Sequence, residues 1–123
     1  MLELDIPMSN MAQIKVIGVE PEGAACMKAS LERGEVTTLP KVSTIADGTA
    51  VKTPGHNIFP YIQKNVDEIL TVSDDELIVA FLDMVENHKM VVENSGLLTV
   101  AALKHLNVRG KKVVSVLSGG NMD

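Results

Sequence analysis

Apolar residues along this chain keep two alternating rhythms, one suited to strands and one to helices. Residues 14–19 read Ile-Lys-Val-Ile-Gly-Val, a β-branched run that predicts a buried parallel strand. Glu20-Pro21-Glu22-Gly23 breaks it, and 24–31 reads as a short helix with Gly34 as its stop. Residues 35–56 keep no period and contain Pro40, Gly48, Pro54 and Gly55. They predict a long irregular connection, and loops of that length are often functional. A helix is expected over 57–65, with Pro60 tolerated in its first turn, and a short strand over 69–72. Ser73 and Glu76 then stand at capping-box spacing. Leu77, Ile78, Phe81, Leu82 and Val85 follow at helical spacing, predicting an amphipathic helix to about His88. Residues 90–92 suit a short strand. Residues 97–106 are apolar nearly all round, so a helix there is buried on most of its surface. A polar turn over 107–111 leads into a last strand at 113–117. Strands alternating with helices predict an α/β fold with a mostly parallel sheet covered by helices.

Composition narrows the class. The 123 residues are 46% hydrophobic and carry a net charge of −5, which fits one globular domain or part of one. Phe59, Tyr61 and Phe81 are the only aromatics, so aliphatic residues and Met must build the core. No basic cluster exceeds the pair Lys111-Lys112, so no electrostatic footprint for nucleic acid is expected. No apolar run reaches the length of a membrane span. Cys26 is the single cysteine, which excludes an intrachain disulfide and suits a reducing cytosol. Residues 1–13 carry three Met, a Pro and no clear period. They read as a lead-in not native to the domain or loosely held by it.

The most informative stretch is the last one. The apolar run of 113–117 stops at Ser118-Gly119-Gly120-Asn121. Ligands of open α/β sheets bind where parallel strands end, and Gly there lets a ligand approach the backbone closely. The tip therefore reads as one wall of a binding site.

Four segments, taken in order, resemble one enzyme family: Val16-Ile17-Gly18-Val19-Glu20-Pro21, Thr44-Ile45-Ala46-Asp47-Gly48, Val91-Val92-Glu93-Asn94-Ser95-Gly96 and Ser118-Gly119-Gly120-Asn121. Together they are similar to the C-terminal part of the catalytic domain of threonine ammonia-lyase (threonine dehydratase). That enzyme belongs to the pyridoxal-phosphate superfamily that includes serine racemase and tryptophan synthase β. The resemblance covers about residues 13–123 and implies a three-layer, Rossmann-like α/β/α large domain of fold type II, present in part. It also implies deamination of L-threonine to 2-oxobutanoate and ammonia, with pyridoxal phosphate as the electron sink; serine remains open as the alternative substrate.

By the same resemblance, Ser118 hydrogen-bonds the cofactor's pyridine nitrogen. A neutral hydroxyl does not hold a proton there, and this favours elimination over transamination. Gly48 lets the backbone pass close to the ring, Gly119 and Gly120 keep the floor free of side chains, and Glu93 sits near the cofactor edge or the substrate as the catalytic candidate. The family's Schiff-base lysine has Ser-x-Lys-x-Arg-like neighbours, and none of the nine lysines here does. The glycine tetrapeptide that cradles the phosphate is also absent. The expectation is a piece of the enzyme that is inactive alone and holds no cofactor covalently. It either self-associates as a dimer or larger, or is completed by a missing N-terminal half or a second chain. Relatives bind a divalent cation through a Glu, a backbone carbonyl and an Asp. Glu20 and Ala24 match the first two, but Cys26 stands in place of the Asp, which leaves at most a weakly held monovalent ion.

Each assignment has a plainer rival. Glu93 also suits a helix N-terminus, where the dipole favours a carboxylate, and Ser118-Gly119-Gly120 also suits an ordinary turn. Asp47 reads as a loop brace. His56, His88 and His105 are scattered and read as structural or exposed. Cys26 lacks a partner base and reads as a small helix-face residue.

Overall fold

The computed structural model describes residues 14–122; the lead-in over 1–13 lies outside the described residues. Strand β1 (Ile17–Pro21) pairs in parallel with β2 (Glu68–Val72), Ile17 opposite Glu68 and Pro21 opposite Val72. Four α-helices accompany them: α1 (Cys26–Arg33), α2 (Phe59–Asn65), α3 (Asp74–Asn87) and α4 (Leu98–Ala102). Tight 3₁₀ turns cover Glu22–Ala24, Asp47–Thr49, Asn94–Leu97 and Leu103–His105. The α/β class with a parallel pairing is as expected.

The helices obey local rules. In α3, the Ser73 side chain accepts from the Glu76 N–H while the Glu76 side chain accepts from the Ser73 N–H, a complete capping box. Leu77, Ala80 and Met84 lie on one face and are buried, as their spacing requires. Pro60 sits in the first turn of α2, where its missing N–H costs nothing. The stop of α1 falls at Gly34, whose N–H returns to the Leu31 carbonyl.

The core lies where α3 and α4 meet each other and the sheet. Leu77, Leu97 and Val72 are its largest fully enclosed apolar side chains, with Ala46, Leu98, Ala101 and Ala102 around them. Val19 and Leu70 join it from the strands. The small residues of α4 let its backbone come close to the sheet.

Two predicted strands do not form. Residues 90–92 and 113–117 carry no ladder among the described residues, so the sheet has two strands there rather than four. A strand exists only as far as a neighbour accepts its hydrogen bonds. The 113–117 run lies against the fold through isolated contacts: the Thr99 hydroxyl donates to the Val116 carbonyl at 3.0 Å, and Leu117 packs against the core. Val114 remains 90% exposed. The helix expected over 97–106 is likewise cut into a 3₁₀ turn, the short α4 and a second 3₁₀ turn, and it buries Leu97, Leu98, Ala101 and Ala102 as its apolar character required.

Candidate cofactor wall

Three of the four segments singled out in the sequence meet in space. The Glu93 N–H donates to the Gly119 carbonyl at 3.0 Å. This bond joins the turn before α4 to the tip. Gly119 has φ +81, a left-handed conformation, and a Cβ there would collide with the Glu93 carboxylate. Gly96 is as constrained, since a Cβ on it would collide with the Ser118 carbonyl oxygen and stand 2.7 Å from Val92. Only glycine fits either place. The tip therefore lies flat on the 93–96 turn, and Ser118, Gly119 and Gly120 are exposed.

Gly48 comes to the same turn from the long connection. Its α-carbon faces Ser95, and a Cβ there would stand 3.0 Å from Ser95 Oγ. Thr49 Oγ1 and Ser95 Oγ lie 3.4 Å apart, and Asn94 Nδ2 donates to the Ile45 carbonyl at 3.1 Å. Gly48, Glu93, Ser118, Gly119 and Gly120 thus share one region, organised around the Asn94–Leu97 turn. Glu93 directly precedes that turn with extended backbone, so its carboxylate does stand at the N-terminus of the segment that leads into α4, although its side chain makes no capping bond. The connecting residues Asn94, Ser95 and Gly96 had no role in the sequence reading. Their signal was there, since all three sit inside one of the four segments.

Glu20, Ala24 and Cys26 lie away from this wall, at the entry to α1. Glu20 Oε2 accepts from the Met27 N–H at 3.0 Å and Oε1 from the Lys28 N–H at 2.7 Å. The carboxylate thus closes the N-terminus of α1, a role that replaces a local side-chain cap, which Ala25 cannot supply. Burial pushes the Glu20 carboxyl above its usual range, although the two amides pull the other way. The Cys26 thiol is pushed up by burial and by the Glu20 charge, and it lies 3.9 Å from Oε2. A hard divalent cation needs several oxygen donors. Here both carboxylate oxygens already accept from amides, and Cys26 brings a soft sulfur where such an ion takes oxygen. The set does not fit such an ion.

Two of the three histidines face carboxylates, and His56 is exposed. His88 Nε2 faces Asp83 at 3.6 Å, and His105 Nε2 meets Glu76 Oε2 at 2.5 Å, tying the end of the α4 segment to the start of α3. Ser30, unremarked in the sequence, is fully buried; its hydroxyl donates to the Cys26 carbonyl at 2.7 Å and accepts from the Thr37 N–H at 2.8 Å. No described helix is long and apolar enough to cross a membrane.

Comparison with known proteins identifies the family. The family described as "Pyridoxal-phosphate dependent enzyme" matches residues 7–119. The chain belongs to that family. It is 46% identical over 112 residues to an L-threonine ammonia-lyase of Thermotoga maritima, covering 90% of this chain and 28% of the relative. It is 43% identical over 117 residues to a biosynthetic L-threonine dehydratase of Salmonella typhimurium, covering 92% of this chain and 23% of that one. Among solved structures, the threonine deaminase of T.th. superposes with a TM-score of 0.83 at 37% identity, covering 94% of this chain and 39% of that one. Serine racemase of Dictyostelium discoideum superposes with a TM-score of 0.81 at 36% identity, covering 94% and 38%. This chain thus spans about a quarter of the length of the curated relatives it matches. Its fold is part of the fold type II architecture, and pyridoxal phosphate is the cofactor of the family.

Proposed function

We propose that this chain carries one wall of the pyridoxal phosphate site of a threonine ammonia-lyase. In the whole enzyme that site deaminates L-threonine to 2-oxobutanoate and ammonia. The observation that carries the reading is the bond from the Glu93 N–H to the Gly119 carbonyl. It puts the carboxylate and the Ser118 tip on one surface, with Gly48 against the adjoining Ser95. Gly48, Gly119 and Gly120 add no side chains of their own to that surface, and the Glu93 carboxylate lies over Gly119. Gly120 is open as well: a Cβ there would find nothing nearer than the Val91 carbonyl oxygen at 3.9 Å.

Pyridoxal phosphate, when bound, supplies the electron sink that makes the α-proton of an amino acid acidic. The chain's own residues orient and shield. Ser118 offers a neutral hydroxyl to the ring nitrogen, Gly48, Gly119 and Gly120 admit the ring to the backbone, and Glu93 faces the cofactor edge or the substrate. The lysine and the phosphate loop come from outside this sequence. The single buried thiol is consistent with a cytoplasmic setting.

Titration with pyridoxal phosphate, followed in the visible spectrum, tests the wall. Saturable binding is expected, weakened about tenfold in Ser118→Ala through loss of one hydrogen bond. No saturable binding would sink the reading. Borohydride should trap no cofactor on any lysine, and the chain alone should release no 2-oxobutanoate. An adduct on one specific lysine, or turnover, would refute the absence of the catalytic lysine.

A second reading, self-association, rests on apolar exposure. Ile78, Val79 and Leu82 on α3 are about half exposed, and Val114 and Val116 of the tail are 90% and 70% exposed. Surfaces of this kind drive association. Light scattering at micromolar concentration should give a dimer or larger, and a monodisperse monomer would count against it.

A further inference from the structure

Gly48 belongs to the least regular part of the fold. Between α1 and α2 the only regular piece is the turn Asp47–Thr49, yet Gly48 must keep its place against Ser95. The tie runs through a single residue, Ile45. The Ile45 N–H points at both carboxylate oxygens of Asp74 at 3.3 Å, and the Thr44 hydroxyl donates to Asp74 Oδ1 at 2.6 Å. Thr44 Oγ1 in turn accepts from the Ala46 N–H at 3.1 Å. On the other side of the same residue, the Ile45 carbonyl accepts from Asn94 Nδ2 at 3.1 Å and from the Asp47 N–H at 3.0 Å. Ile45 therefore joins the start of α3 to the turn that bears Ser95. Beyond it Ala46 is fully buried, and its carbonyl accepts from both the N–H and the hydroxyl of Thr49 at 3.0 Å.

Asp74 is the first residue of α3, where the dipole favours a carboxylate. It is not needed to cap that helix, because Ser73 and Glu76 already complete the capping box. Its side chain is instead committed to the connection. Hydrogen bonds to an ionised acceptor are the stronger kind, and here they hold a segment that has almost no ladder of its own.

We propose that Asp74 is a positioning residue of the cofactor wall: by holding Thr44 and Ile45 it sets the place of Gly48 against the Ser95 turn. The ligand part of this inference rests on the pyridoxal phosphate reading above. The geometric part does not. An aspartate that merely steadied α3 would, on removal, loosen α3 itself. A positioning aspartate would release residues 45–49 while the rest of the wall stayed closed.

Residue-resolved amide hydrogen exchange separates the two, with pyridoxal phosphate titration run on the same samples. In Asp74→Ala, exchange at the amides of residues 45–49 should rise about tenfold, as expected for loss of a charged hydrogen bond. The Glu93 amide, bound to Gly119, should keep its protection. Affinity for pyridoxal phosphate should fall by a similar factor, and Asp74→Asn, which keeps an acceptor, should lie between. Unchanged exchange at 45–49, opening of α3 to the same extent, or unaltered affinity in a chain that binds the cofactor would each overturn the proposal. Should the unaltered chain bind no pyridoxal phosphate, the functional reading fails and the exchange result alone decides Asp74. If Asp74→Ala does not fold, Asp74→Asn and Thr44→Val carry the same test.

Discussion

Helix α3 and the tail over 113–117 are both strongly apolar, and they end in opposite states. Leu77 of α3 is completely enclosed, whereas Val114 of the tail is 90% exposed. The difference lies in where each finds its hydrogen bonds. A helix closes its bonds within its own turns, so α3 needs only a surface for its apolar stripe. Its terminus is satisfied within four residues, by Ser73 and Glu76. A strand has no internal bonds and takes its form from a neighbour. The tail has the composition of a central strand but carries no ladder among the described residues; the Thr99 hydroxyl bonds its Val116 carbonyl and its Leu117 packs against the core. Apolar content therefore says which segments seek burial, while bonding pattern says which achieve it within these residues.

The comparison can be broken most sharply at its two extremes. Leu77→Ala should destabilise the fold by about 2–5 kcal/mol, as large-to-small changes in closed cores do. Val114→Thr should stay within about 0.5 kcal/mol, as exposed substitutions do. Urea unfolding of both variants measures the contrast, and equal costs would mean that the tail is built into the core.

A smaller effect tests the one place where the tail is firmly seated. Gly96→Ala must push the Ser118 carbonyl away and should cost about 1–3 kcal/mol by overpacking. It should also expose the Glu93 amide to exchange, because its acceptor, Gly119, moves with the tip. Loss of stability with the Glu93 amide still protected would show that the tip and the turn are not coupled.

The smallest effect is electrostatic and belongs to α3. The hydrogen bond from the Ser73 amide, then the contact with His105, holds the Glu76 carboxyl below its usual range. A carboxylate lowered in the folded state contributes stability above its unfolded value, about 4.3 for glutamate. That contribution is lost as pH falls through the lowered folded value. The unaltered chain should therefore lose stability over that acidic window, and Glu76→Gln should show a shallower loss. Parallel pH profiles would remove Glu76 as the source.

Much of the architecture was legible where the rule is local. The capping box at Ser73, the stop at Gly34 and the place of Pro60 in α2 each depend on residues a few positions apart. The sheet was legible in part: β1 and β2 formed near the expected runs, while 90–92 and 113–117 did not, because strand formation depends on partners that no local pattern encodes. The site divides along the same line. Gly48, Glu93, Ser118 and Gly119 could be singled out as residues. Ile45, Asn94 and Ser95, which bring them together, have ordinary side chains whose value lies in their bonds. Glu20 was recognisable as a special carboxylate, and Cys26 in place of an Asp already spoke against a hard cation; only the positions of the Met27 and Lys28 amides reveal that Glu20 closes α1.

The sequence by itself determined the α/β class, the helices and the four segments that place the chain among pyridoxal phosphate enzymes. The class and most of the helices follow from periodicity and capping, which act over short distances; the four segments point to pyridoxal phosphate enzymes through their resemblance to that family. Tertiary structure alone decided that Gly119 lies on Glu93, that Gly48 meets Ser95, and that Asp74 reaches back to Thr44 and Ile45. Those contacts join residues tens of positions apart. Their partners are chosen by how α3, α4 and the sheet pack together, because a hydrogen bond forms only where the fold brings donor and acceptor within reach.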